Sequence, residues 1–155
     1  MKRRRMTTKR PDLPSPRPGE VIRYAYLWTT EQAEGHEEAA KDRPCAVVLV
    51  TRAEGDVETV FVLPITSQPP AVAEDAEPLS EATRRRLGLQ AEPCWVVLTE
   101  VNRFIWPGPD VRPVVQPSGS FCTYGLLPAQ QFRRIRDAVL RRARNRTLRA
   151  VSRSA

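Results

Sequence analysis

Apolar residues occur in short runs, divided by polar and proline-rich stretches, through the first half of the chain. Residues 21–28 are β-branched and aromatic, which predicts a strand. Residues 45–50 form the longest unbroken apolar run and predict a strand buried on both faces. A turn at residues 53–56 leads into a further predicted strand at residues 57–66, so the chain makes a hairpin here. Pro64 within that run indicates a strand end, an edge or a bulge.

The β pattern continues in two later segments. Residues 94–101 predict a third buried strand, which residues 103–106 extend after a kink. Residues 121–126 predict the last strand. Short strands joined by turns, about five in all, favour a small curled sheet or barrel.

Helical patterns occur in three places. Residues 80–87 predict a short helix, which Ser80 can cap at its start and Gly88 can end. Residues 29–42 are polar and glutamate-rich, and predict either a loop or a short helix. After Pro128, four apolar residues recur at helical spacing and predict a C-terminal helix. These four are Phe132, Ile135, Val139 and Ala143.

Composition limits the class of protein. The chain has 155 residues, 41% of them hydrophobic, which suits one domain with a packed core. Its longest apolar run is far shorter than the roughly 20 residues of a membrane helix, and no apolar segment follows the basic start. We therefore expect neither a membrane span nor secretion. The three cysteines form no C-x-x-C pair, which indicates a cytoplasmic protein without disulfide or zinc sites.

Charge is distributed unevenly along the chain. Residues 1–17 carry seven basic and one acidic side chain, residues 18–100 carry seven basic and fifteen acidic, and residues 101–155 carry eleven basic and two acidic. The two basic ends indicate either a polyanionic partner or a solvated tail and helix face. The sequence contains no phosphate-binding glycine loop, dinucleotide fingerprint or H-E-x-x-H motif, so neither a nucleotide-dependent enzyme nor a metalloprotease is indicated.

Several motifs in a fixed order point to a family. Pro-Gly at residues 18–19 turns into the first strand, Arg43-Pro44 leads into the buried strand, and Leu-Pro-Ile-Thr-Ser at residues 63–67 ends the next one. Residues 125–128 then precede the C-terminal helix. In this order, over roughly residues 18–145, the chain resembles the MazF/PemK (Kid-like) toxins of bacterial type II toxin–antitoxin pairs.

The resemblance implies a small SH3-like barrel of about five to seven strands, with a short inserted helix and a C-terminal α-helix. The domain covers residues 18–146, between a disordered basic arm at residues 1–17 and a basic tail at residues 147–155. The family implies a homodimer, inhibited by a cognate antitoxin, that works without metal or cofactor. Its activity is sequence-specific cleavage of single-stranded RNA, leaving 2′,3′-cyclic phosphate and 5′-hydroxyl ends.

The resemblance also assigns the reactive residues. Arg43 matches the family's catalytic arginine and Thr66 its catalytic threonine, with Ser67 as a neighbouring phosphate contact. These residue types suit the reaction, because a guanidinium offers parallel donors to phosphate oxygens at every working pH and a hydroxyl adds a short donor.

Four further residues are predicted to contribute. Arg103 and Trp106 are expected to bind RNA, the tryptophan by stacking on an unpaired base. His36 and Glu31, from the acidic segment at residues 29–42, are the candidate general bases. His36 is the only histidine, and in so polar a stretch it also fits an ordinary surface residue.

Alternatives stay open at this point. Taken singly, an arginine before a strand and Thr-Ser at a strand end fit ordinary surface residues, and only their occurrence in the ordered set of motifs favours a function. The chain could instead be a gyrase-poisoning toxin of the related CcdB-like kind, or a nucleic-acid-binding regulator. The acidic segment at residues 29–42 is also longer than the family leads us to expect. Because its charge would repel RNA, it must swing aside, or hold Arg43 through Asp42.

Overall fold

The computed structural model describes residues 14–35, 40–90, 92–114 and 122–153. They form a mainly β, α+β fold with a short inserted helix and a C-terminal helix, which confirms that part of the predicted fold class. The strands are β1 (Glu20–Tyr26), β2 (Lys41–Arg52), β3 (Glu58–Thr66), β4 (Ala76–Pro78), β5 (Trp95–Val97), β6 (Glu100–Ile105), β7 (Thr123–Leu126) and β8 (Arg149–Ser152). The helices are α1 (Thr29–Ala33), α2 (Glu81–Leu87) and α3 (Ala129–Arg144).

The strands belong to one open sheet. Its order is β4-β5-β3-β2-β1-β7, and β6 pairs with both β3 and β8. Every ladder is antiparallel except the parallel pair of β6 and β8. The sheet has more strands than predicted because β4 and β8 are short and contain too few apolar residues to show a strand pattern. None of the helices in the described ranges is long and apolar enough to cross a membrane.

The predicted hairpin is confirmed, but Pro64 has a different place from the one expected. β2 and β3 pair from Cys45 opposite Pro64 to Arg52 opposite Glu58. Pro64 therefore lies inside β3. On the side of β3 away from β2, the pairing strand changes at this point from β6 to β5. The ladder with β6 ends at Val62 and the ladder with β5 begins at Ile65. The missing N–H of proline falls between the two outer ladders, where no outer strand requires it.

The sheet buries apolar side chains on both faces, as predicted for the long apolar run. Cys45 and Val47 belong to one core, while Ala46 and Val48 belong to the other, which is covered by α2 and α3. Because side chains on both faces of β2 are buried, the sequence here is continuously apolar and does not alternate between apolar and polar residues. Val48 is the last buried residue of this run, since the residue after it, Leu49, is 42% exposed.

The segment predicted as a third strand is two strands. β5 and β6 are separated at residues 98–99, since β5 pairs with β3 and β4 whereas β6 pairs with β3 and β8. The predicted last strand corresponds to β7, although residue 121 lies outside the described residues.

Two polar side chains of β6 are buried and bind the end of β1. Asn102 is fully buried; its amide accepts from the Leu27 N–H (2.9 Å) and donates to the Leu27 carbonyl (2.8 Å). The Glu100 carboxylate accepts from the Tyr26 hydroxyl (3.2 Å), the Thr29 N–H (3.0 Å) and the Thr29 hydroxyl (3.3 Å). We call this set of contacts the β6 clamp. It satisfies the buried polar groups and fixes where β1 ends.

The helix boundaries follow the predicted capping residues. Ser80 Oγ accepts from the Thr83 N–H at 3.1 Å and caps α2, which ends at Gly88 in the left-handed conformation that glycine adopts most easily (φ 73°). α3 buries Ile135 and Val139 against the sheet. The polar segment left open between loop and helix begins with the single turn of α1.

Arginines of α3 also bind the acidic middle of the chain. Arg134 pairs with Glu77 (2.8 Å) and Arg142 with Asp75 (3.1 Å), so the helix is tied to the β4 segment by charge as well as by apolar packing. These arginines therefore have partners within the protein itself.

The predicted basic tail contains β8, which pairs with β6 and buries Val151. Arg153 follows directly, and its guanidinium pairs with Asp110 (3.2 Å) and donates to the Ala25 carbonyl (2.8 Å). The C-terminal segment is thus part of the fold. Of the predicted N-terminal arm, residues 1–13 lie outside the described residues.

The β6 clamp predicts a large cost for removing Asn102. Asn102→Ala leaves the Leu27 N–H and carbonyl buried without partners, and we expect it to lower the free energy of unfolding by about 2–4 kcal/mol. Urea denaturation of the full chain measures this. Ser152→Ala, which removes an exposed hydroxyl on β8 and its solvent-accessible hydrogen bond from Arg103, is the matched control and should change stability by less than about 0.5 kcal/mol. Equal stability of the two variants would contradict the clamp.

Candidate active site

A cleft of about 360 Å³ lies where the start of β2 is beside the end of β3. The loop after α2 and one side chain of β7 complete its walls. It is lined by Lys41, Asp42, Arg43, Pro44, Ile65, Thr66, Ser67, Gly88, Leu89, Gln90, Cys94 and Tyr124.

Strand register explains why residues distant in sequence meet here. The last ladder pair of the hairpin is Cys45 with Pro64. Arg43 lies two residues before Cys45, and Thr66 lies two residues after Pro64. Extension of the same register by two residues therefore places Arg43 opposite Thr66, and Ser67 follows Thr66 at the open end of the hairpin. All three predicted residues, Arg43, Thr66 and Ser67, line the same cleft.

Arg43 is a half-buried cation without a hydrogen-bond partner for its Nε–H. Its guanidinium carbon lies 5.3 Å from the centroid of the Trp28 ring. None of the ion pairs found among the described residues includes Arg43. Within the described ranges, the guanidinium is thus in contact with an aromatic ring instead of a carboxylate.

Asp42, which precedes this arginine, has other partners. Its carboxylate pairs with Arg23 (3.3 Å) and Arg112 (3.4 Å). Of the two alternatives for the acidic segment, the one in which Asp42 holds Arg43 does not match these contacts, because successive residues of a strand point to opposite faces and the carboxylate meets the two arginines instead. The acidic residue nearest the cleft is thus compensated locally, and the charge of Arg43 is not cancelled by it.

Hydroxyl groups supply further donors. Thr66 Oγ1 accepts from the Gln68 N–H at 3.1 Å, which orients the hydroxyl and leaves its proton available. Tyr124 of β7 is half-buried, and burial raises the pKa of its phenol, so it stays a neutral O–H donor at physiological pH. No sequence motif marks Tyr124, because the pairing of β7 with β1 is what brings it to the cleft.

The two predicted RNA-binding residues do not line the cleft. Arg103 lies on β6, where its guanidinium donates to Ser152 Oγ at 2.8 Å. Trp106 is half-buried and packs against the Phe104 ring, with centroids 6.1 Å apart. Both contacts are internal to the protein, and the cleft has neither residue among its walls.

Of the two candidate general bases, Glu31 does not line the cleft. Glu31 Oε1 accepts from the Trp28 N–H at 3.1 Å, so its carboxylate caps the start of α1. His36 lies outside the described residues. Cys94 does line the cleft, but burial raises the pKa of its thiol, so it is not a ready nucleophile.

Comparison with family models, curated proteins and solved structures gives no match to this chain. The MazF/PemK family therefore stays a resemblance carried by the motifs, and the geometry of the cleft is what bears on function. Across the described ranges, no group of three or more His, Cys, Asp or Glu side chains could hold a metal ion. The cleft instead combines a guanidinium, hydroxyls and an exposed lysine, which are ligands for an anion rich in oxygen.

A residue kept for ligand binding should contribute little to stability. We expect Arg43→Met, which retains an apolar side chain beside Trp28, to change the free energy of unfolding by less than about 1 kcal/mol. Arg153→Met is the matched control, since it breaks a largely buried ion pair with Asp110 and should cost about 2 kcal/mol or more. Urea denaturation compares them. A large loss in the Arg43 variant would mean that this arginine is structural.

Proposed function

We propose that this protein is a metal-independent, sequence-specific endoribonuclease of the MazF/PemK (Kid-like) kind, the toxin of a type II toxin–antitoxin pair. The observation that carries the proposal is the convergence of Arg43 and Thr66, two motifs far apart in sequence, in one cleft where the arginine has no ion-pair partner among the described residues.

The residues of the cleft suit the proposed reaction. In RNA cleavage of this type, the 2′-hydroxyl oxygen attacks the adjacent phosphorus while the bond to the 5′-oxygen breaks. The 2′-proton leaves, the 5′-oxygen gains a proton, and the products are a 2′,3′-cyclic phosphate and a 5′-hydroxyl. Negative charge builds on the non-bridging oxygens, where Arg43 and Thr66 would donate.

The proposal assigns roles to the other residues of the cleft. Ser67 and Tyr124 supply neutral donors to the RNA backbone, and Lys41 attracts it by charge. His36 stays the candidate for removal of the 2′-proton. The homodimer, the cognate antitoxin and a cytoplasmic location belong to the same proposal and rest on the family resemblance.

Arg43→Ala should lower the rate of single-stranded RNA cleavage by at least about 100-fold, because a preorganised cationic donor acts mainly on the transition state. Thr66→Ala should lower it by about 10-fold or more for the same reason. Incubation of purified, chelator-treated protein with total RNA, followed by mapping of 5′ ends, measures both. Arg85→Ala is the matched control, because this arginine is exposed on α2 and pairs only with Glu81 one turn away.

Other outcomes would favour the alternatives. Full activity of Arg43→Ala would contradict the assigned chemistry, and loss of cleavage in chelator would contradict its independence of metal. RNA or DNA binding that weakens steeply with salt, without cleavage, would instead indicate a regulator. Growth arrest with intact RNA would favour a gyrase-poisoning toxin.

A further inference from the structure

We propose that Trp28 is a positioning residue, whose ring lies beneath the Arg43 guanidinium and holds it at the cleft. The inference rests on the function proposed above, in which Arg43 contacts the scissile phosphate. The distance of 5.3 Å from the guanidinium carbon to the ring centroid lies within the roughly 6 Å over which an aromatic ring attracts a cation. Trp28 is not among the residues lining the cleft, so its contact is with the arginine and not with the cleft itself.

The backbone around Trp28 is fixed on both sides by the β6 clamp. Both polar backbone groups of Leu27 bind Asn102, and the N–H and hydroxyl of Thr29 bind Glu100. Because Asn102 is fully buried and Glu100 is only 7% exposed, these contacts are shielded from competing water. The residue between them therefore has little freedom to move.

The Trp28 ring itself rests on a rigid surface. Tyr26, which is fully buried, meets it edge to face with centroids 5.3 Å apart and an interplanar angle of 69°. The Trp28 backbone N–H donates to the Glu31 carboxylate, so this carboxylate helps to hold Trp28 in place. A chain of contacts thus runs from the core through Trp28 to Arg43.

This arrangement should act on the chemical step. An arginine on a surface samples many side-chain conformations and must be ordered when a phosphate arrives. Stacking on a fixed ring orders the guanidinium beforehand. We therefore expect Trp28 to affect kcat more than KM.

The experiment compares RNA cleavage by the full-length wild type, Trp28→Leu and Trp28→Phe. Trp28→Leu should lower kcat roughly tenfold and change KM by less than about twofold, while Trp28→Phe, which restores a ring, should recover most of the rate. In the Arg43→Ala background, Trp28→Leu should have no further effect, because the two residues act as one unit. Phe104→Leu removes a ring from the same core without touching Arg43 and should leave kcat unchanged for the folded fraction.

A second readout does not depend on activity. In a ¹⁵N-labelled protein, ring current should shift the Arg43 Nε–Hε proton resonance upfield, and Trp28→Leu should abolish the shift. Cleavage by Trp28→Leu at the wild-type rate, in a protein that Arg43→Ala inactivates, would overturn this inference and leave the proposed function standing. If the wild type cuts no RNA, the proposed function fails, and an unchanged Arg43 resonance in Trp28→Leu would then overturn the inference separately.

Discussion

The β6 clamp is the contact on which the rest of the structure depends. Burying a carboxylate and an amide costs free energy unless each polar atom finds a partner. Glu100 and Asn102 find theirs on Tyr26 at the end of β1, on Leu27 after it and on Thr29 at the start of α1, and few other alignments of these segments would satisfy them together. The clamp thus fixes the end of β1 and the start of α1. It holds together parts of the chain that share no ladder.

Ion pairs within the fold account for part of the uneven charge distribution along the chain. Basic residues of the C-terminal block pair with acidic residues of the middle block, as Arg142 does with Asp75 and Arg112 with Asp42. Part of the contrast between the blocks is therefore paired within the fold, and these ion pairs tie α3 and the loop before β7 to the rest of the sheet. Arg43 differs from these arginines because its neighbouring carboxylate is already bound elsewhere.

The parts of the fold that follow from local pattern were predictable from the sequence. Apolar runs marked β1, β2 and β3, and Ser80 and Gly88 marked the ends of α2. The meeting of Arg43 and Thr66 was predictable too, since one hairpin register brings them together. Strand β8 was not, because Val151 is its only buried residue and arginines surround it. Tyr124 reaches the cleft through the pairing of β7 with β1, and no short sequence motif indicates a pairing between segments so far apart in the chain.

A buried N–H without a partner costs free energy, so Arg43 contributes less to stability than a fully hydrogen-bonded arginine would. The surroundings of Arg43 offset part of this cost. A carboxylate partner would stabilise the cation but would occupy the donors that a phosphate needs. The Trp28 ring attracts the cation through its face and takes none of them. An aromatic support in place of an acidic one therefore orders the guanidinium without occupying its donors.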